Sequence, residues 1–177
     1  MSVKLLKNPK TPTYSALKKE VLSSNFSWHW VNESTLNHKD ETNHKNHPYF
    51  SHCVLRRPND VNDDSQTLFP RVTSNYFDGC NRVLKEIFDE NNINCNCVLR
   101  INFNLTLPLS NIPTIPHYDH EFEHKNLISF FTGSGGATVC ENESYDHKED
   151  DIILFSGLHY MHLPQKDRRV IMITTFI

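Results

Sequence analysis

Val98-Leu99-Arg100-Ile101-Asn102-Phe103-Asn104-Leu105-Thr106-Leu107 alternates in part, with Leu99, Ile101, Phe103 and Leu105 on one side. A period of two is what a strand with one face in a core requires. Short β-rich runs follow at Leu127–Phe131, Ala137–Val139, Ile152–Phe155 and Val170–Ile177, with a turn at Gly135-Gly136. Short strands at such intervals, preceded by helices, predict a mainly β (α+β) chain built on a double-stranded β-helix, a cupin-like jelly roll.

Upstream the texture differs. Tyr14, Leu17, Val21 and Leu22 form one stripe of a short helix over Thr13–Ser24, started by Pro12. Phe26–Val31 and Tyr49–Arg56 carry the aromatic and β-branched residues of strands, and the polar Asn37–His47 between them has no apolar period. Ser74–Asn91 is the clearest helix: Tyr76, Phe77, Cys80, Val83, Leu84, Ile87 and Phe88 recur at helical spacing. Ser74 is suited to cap its start, and Asn91, Asn92 and Asn94 end it. The chain therefore divides as one domain, 1–177, with 1–97 as helical and strand support and 98–177 as the β-helix core.

At 177 residues one well-cored domain is comfortable and two are not. A formal net charge of −3 gives no electrostatic hold on nucleic acid or an anionic membrane, and neither partner is expected. There is no signal-peptide core and no run approaching the roughly 18 apolar residues of a membrane helix. Cys53, Cys80, Cys95, Cys97 and Cys140 are an odd set without a C-x-x-C pair, so reduced thiols in the cytoplasm are expected. Oligomeric state is not legible.

Working outward from the opening strand, Pro116-His117-Tyr118-Asp119 comes next. In an H-x-D pair at a strand end, alternate side chains point the same way and reach one ion. His159 follows the buried run Ile152–Phe155 and its turn, and Arg168-Arg169 opens the last run. Two imidazoles and a carboxylate suit Fe(II) held on one face with opposite positions open. An arginine beside them suits a carboxylate ligand. His162 competes with His159, Arg168 with Arg169, and His120, Glu121, Glu123 and His124 crowd the H-x-D pair.

The ordered set resembles the 2-oxoglutarate- and Fe(II)-dependent oxygenases, in particular the small prolyl-4-hydroxylase-like branch of bacteria and phages. The resemblance runs from about Arg100 to Phe176. It rests on Arg100–Leu105, Pro116–Asp119, Phe122 with Leu127, Gly135-Gly136-Ala137-Thr138, and Pro164…Arg169-Val170…Phe176. It implies that His117, Asp119 and His159 are the metal ligands and catalytic centre. It implies too that Arg169 pairs with the distal carboxylate of 2-oxoglutarate, with Asn104 as the candidate for an added hydrogen bond. The activity implied is a dioxygenase hydroxylating a C–H bond of a peptidyl residue (proline-like) or a small metabolite. It would use O2 and 2-oxoglutarate, release succinate and CO2, and draw on ascorbate as a reductant. The alternatives are a cupin-like metal protein that does not use 2-oxoglutarate, or a non-catalytic jelly-roll binding module.

Other features read more plainly. His38, His44, His47 and His52 lack a zinc pattern and are expected in a solvated loop. Trp28 and Trp30 alternate about His29 and are expected to share a face, packed in the core. Gly133-Ser134-Gly135-Gly136 is not a phosphate loop, because no lysine and no helix follow. Residues that read substrate are expected on Asn32–His47, Arg56–Thr73 and Glu141–Asp150.

Overall fold

The computed structural model describes residues 3–35, 43–58 and 68–177. His38 and parts of the stretches Asn32–His47 and Arg56–Thr73 lie outside the described residues. The elements, in order, are β1 (Lys4–Leu6), α1 (Pro12–Val21), β2 (His29–Val31), β3 (Tyr49–Arg56), β4 (Arg71–Val72), α2 (Phe77–Asn91), β5 (Val98–Thr106), β6 (Lys125–Phe130), β7 (Thr138–Cys140), β8 (Glu143–Tyr145), β9 (Ile152–Phe155), β10 (His159–Met161) and β11 (Arg169–Phe176).

The strands make two antiparallel sheets. The larger runs β1-β9-β6-β11-β5-β3-β2, with β4 also on β3, and the smaller runs β10-β7-β8. Residues from before Val98 thus supply strands at both ends of the larger sheet.

Alternation along β5 sorts its two faces. Ile101, Phe103 and Leu105 join a core with Tyr14, Leu17 and Val21 of α1, Val83, Leu84 and Ile87 of α2, and Val170 and Met172 of β11. Each fully buried apolar side chain here is worth about 1.5–3 kcal/mol, which fixes the register of β5 and β11. On the opposite face Ile128, Phe130, Ile153, Phe155, Ile171 and Ile173 pack together with Cys140 of the small sheet.

Local chemistry sets the helix ends. Thr11 accepts from Tyr14 N at 3.1 Å and Pro12 takes the first helical position of α1. Asn92, at φ 52°, closes α2 in the left-handed region.

Four expectations need correction. Ser74 does not cap α2: Tyr76 holds that place without a side-chain bond. The Ser74 hydroxyl is instead held by His52 Nε2 at 2.8 Å and accepts from Tyr76 N. The strand foreseen at Phe26–Val31 shortens to β2, because Phe26 turns into the core among Trp28, His52, Tyr76 and Phe103. Trp28 follows Phe26 into that cluster, whereas Trp30 is exposed, so the two indoles do not share a core face. Finally, the H-x-D pair lies outside the regular strands; His117 makes a lone antiparallel bridge to His159. All five cysteines are free thiols.

Candidate metal centre

The bridge between His117 and His159 brings together residues far apart in sequence. His117 N donates to His159 O at 2.9 Å and His159 N donates back at 3.1 Å. The ring centroids lie 4.5 Å apart. Asp119 curls under the pair, with Oδ2 at 3.5 Å from His159 Nε2. One ligand atom from each of His117, Asp119 and His159 falls within 4.8 Å of the others.

The imidazoles are oriented from behind. His117 Nδ1 contacts Ile115 O at 3.0 Å and His159 Nδ1 contacts Gly157 O at 3.1 Å. A carbonyl only accepts, so each Nδ1 carries the proton and each Nε2 presents its lone pair forward. Burial, countered in part by Asp119, pushes His159 down to about 4, so it is a neutral imidazole at neutral pH. Burial would raise the Asp119 carboxyl, but His159, Arg100 and His117 outweigh it and hold it well below the usual carboxylate range. Two imidazole nitrogens and one carboxylate oxygen, with no further ligand grouped with them among the described residues, fit a divalent first-row metal that keeps open positions.

Two arginines brace Asp119, one at its carboxylate and one at its backbone carbonyl. Arg100 Nη1 donates to Asp119 Oδ1 at 3.0 Å, and Arg57 Nη1 donates to Asp119 O at 2.8 Å. Arg100 thereby occupies one carboxylate oxygen and leaves the other toward His159. Sequence reasoning placed Arg100 in the resemblance and Arg57 in a stretch expected to read substrate, but tied neither to Asp119. A cation among Asn102, Asn104 and Thr106 on the polar side of β5 was the available signal.

The triad opens on a cavity of about 1060 Å³ that also reaches Asn102, Asn104, Trp30 and Tyr118. Asn104 lines it and accepts from Asn102 Nδ2. Arg169 points inward while Arg168 is exposed, which separates that pair. The Arg169 guanidinium is buried. Its Nη1 donates to Gly136 O at 2.9 Å and His162 O at 3.0 Å, and its Nη2 contacts Met161 Sδ. Met161 and Thr106, its cross-strand partner, line the cavity in front of it. Desolvation lowers Arg169 to about 10, which leaves it charged. His162 is exposed and contributes its carbonyl; the imidazole near Asp119 belongs to His159. His120 shares a hydrogen bond with Thr175 Oγ1 at 2.8 Å, His124 turns to Phe122 O, and Glu121 and Glu123 are exposed.

The solvated loop expected for the histidines outside the centre fails at two of them, which are buried: His47 Nε2 bonds Ile112 O at 2.9 Å and the residue lines the cavity, and His52 lies in the aromatic core. Among the described residues, no helix is long and apolar enough to cross a membrane.

No family model matches the sequence, and no curated protein matches it. Solved structures do share its fold. A 2OG-Fe(II) oxygenase family oxidoreductase from Burkholderia pseudomallei superposes with a TM-score of 0.64 at 10% identity, over 98% of this chain and 84% of that one. A prolyl hydroxylase from Trichoplax adhaerens, in complex with a hypoxia inducible factor oxygen degradation domain peptide fragment, gives 0.59 at 10% identity, over 99% and 83%.

Proposed function

We propose that this chain is an Fe(II)- and 2-oxoglutarate-dependent dioxygenase of the prolyl-4-hydroxylase-like kind, with a double-stranded β-helix core in residues 98–177. The observation that carries the reading is the convergence of His117, Asp119 and His159 within 4.8 Å at the head of a cavity. The fold shared with oxygenases supports it.

Iron, 2-oxoglutarate and O2 would supply the oxidation, converting a substrate C–H bond to C–OH with release of succinate and CO2, while ascorbate serves as a reductant. The chain's part is binding and orientation. His117 and His159 give their Nε2 atoms, fixed by their Nδ1–H bonds, and Asp119 gives one oxygen while Arg100 retains the other. Arg169 provides the charge for the distal carboxylate of 2-oxoglutarate, and Asn104 a polar neighbour on the cavity wall. Because Met161 lies against the guanidinium, its flexible thioether must turn aside for that pairing. Substrate enters past Tyr118 and Trp30. A peptidyl residue is favoured by the peptide bound to the similarly folded Trichoplax adhaerens enzyme, and a small metabolite is the other substrate class. Five free thiols agree with work in the cytoplasm.

The cover of Met161 and Thr106 over Arg169 favours one second reading, a metal protein that does not use 2-oxoglutarate. Anaerobic Fe(II) titration with and without 2-oxoglutarate separates the two. A visible charge-transfer band that requires both, and is lost in His117→Ala, is the expected result. Iron uptake without any band at saturating 2-oxoglutarate would refute the proposal in favour of the second reading.

A further inference from the structure

Asn126 is the second residue of β6, followed by the apolar and small Leu127-Ile128-Ser129-Phe130, and it is 0% exposed. Neither its Nδ2 nor its Oδ1 has a hydrogen-bond partner, although the side chain lines the cavity of the triad. A buried amide with both ends unspent is costly, and native interiors rarely keep one without a reason.

Its position in the sheet supplies the reason. Asn126 pairs across the sheet with Phe155 on β9 and with Thr175 on β11, and Thr175 pairs with Arg100 on β5. The other members of this rung each touch the metal centre or its neighbour. Phe155 sets its edge against the His159 ring at 5.0 Å, Thr175 holds His120, and Arg100 holds Asp119. Asn126 is therefore on the buried side of the cavity with these neighbours of the triad, whereas Trp30 and Tyr118 are exposed.

We infer that Asn126 is a binding residue for the metal-proximal end of a 2-oxo acid, its Nδ2 donating to the carboxylate that sits beside the 2-oxo group. The inference rests on the proposed function and adds to it a residue that recognises the end of the co-substrate opposite Arg169. A carboxylate suits the place because the cation Arg100 stands on the same rung, and a fixed amide N–H there needs no reorganisation to meet an anion.

The test uses Co(II)-loaded full-length protein, followed by its visible ligand-field bands, titrated with 2-oxoglutarate and with pyruvate. Pyruvate keeps the carboxylate and 2-oxo group but has no distal carboxylate, so it isolates the end assigned to Asn126. In Asn126→Leu, a near-isosteric change, affinity for both acids should fall roughly ten- to hundred-fold, the worth of a hydrogen bond to a charged group. Co(II) affinity should stay unchanged, and the metal-free melting temperature should rise by roughly 2–6 °C as the unspent amide disappears. Should that variant not fold, Asn126→Ala carries the affinity comparison. Unchanged pyruvate affinity overturns the inference, as does a parallel loss of Co(II) binding, which would make Asn126 a support of the triad alone. A wild-type protein that binds Co(II) yet answers to neither acid refutes the dioxygenase proposal itself.

Discussion

Replacing Arg100 by methionine should weaken the metal-free protein more than the metal-loaded one. The guanidinium lies 3.0 Å from Asp119 Oδ1, a separation at which unit charges attract by about 5 kcal/mol if the effective dielectric is about 20. The Arg100 side chain is 19% exposed and that of Asp119 7%, so solvent screening and desolvation take back part of this. A net loss of about 2–4 kcal/mol is expected without metal, because Asp119 stays buried with one cation fewer. A divalent ion restores the missing positive charge, so saturating Mn(II) should reduce the deficit by about half or more, and by linkage the variant should bind Mn(II) more tightly. Asp119 titrates well below its ordinary value, so its contribution is full above the ordinary carboxylate range and is lost progressively as pH falls from there toward the lowered value. The deficit should fade with acidification below about pH 4. Urea unfolding of both proteins, with chelator or with Mn(II), at pH 7.5 and pH 3, measures all three effects. A metal-free deficit under about 0.5 kcal/mol, or one that Mn(II) leaves undiminished, would refute the assignment of Arg100 as the brace of the ligand carboxylate.

Gly136→Ala should cost more than about 3 kcal/mol: φ is +87° and a Cβ would meet Leu163 O at 2.5 Å and His162 O at 2.6 Å. Thermal melting checks it, and a near-wild-type melting temperature would contradict the packing described. Arg169→Met strands the Gly136 and His162 carbonyls, so a loss of about 2–4 kcal/mol is expected in urea, with weakened 2-oxoglutarate binding and intact pyruvate binding by titration. His147 is buried face to face on Phe130 at 3.9 Å, and burial, with Arg169 nearby, depresses it to about 4. Its contribution is full above about pH 6.5 and lost as pH falls toward 4, so His147→Phe should remove about 2–3 kcal/mol of acid sensitivity from a pH series of unfolding curves.

Much of the site was legible because its donors are chemically rare in combination. His117, Asp119 and His159 could be picked out by residue type and order. Their meeting depends on the reciprocal backbone bonds between His117 and His159, which no local pattern announces. The strands Tyr49–Arg56 and Ile152–Phe155 were readable to the residue, since burial on at least one face imposes a strong apolar pattern. β1, β8 and β10 were not, being three residues long and too short to show any period. Asn126 carried a signal that was overlooked, an amide at the head of a buried strand. Ser74 misled because a hydroxyl able to cap a helix serves an imidazole equally well, and His52 lay closer.

The arrangement of the larger sheet also limits how the chain can be cut. β9, β6, β11 and β5 hold the residues around the centre, yet β1 seals one flank and β3 with β2 the other. A fragment beginning at Val98 would leave both flanks bare, each offering a ladder of unspent N–H and C=O groups to any neighbour. Such a piece is expected to emerge from a sizing column as self-associated material. The first ninety-odd residues thus act as bookends, keeping the β-rich half apart from copies of itself.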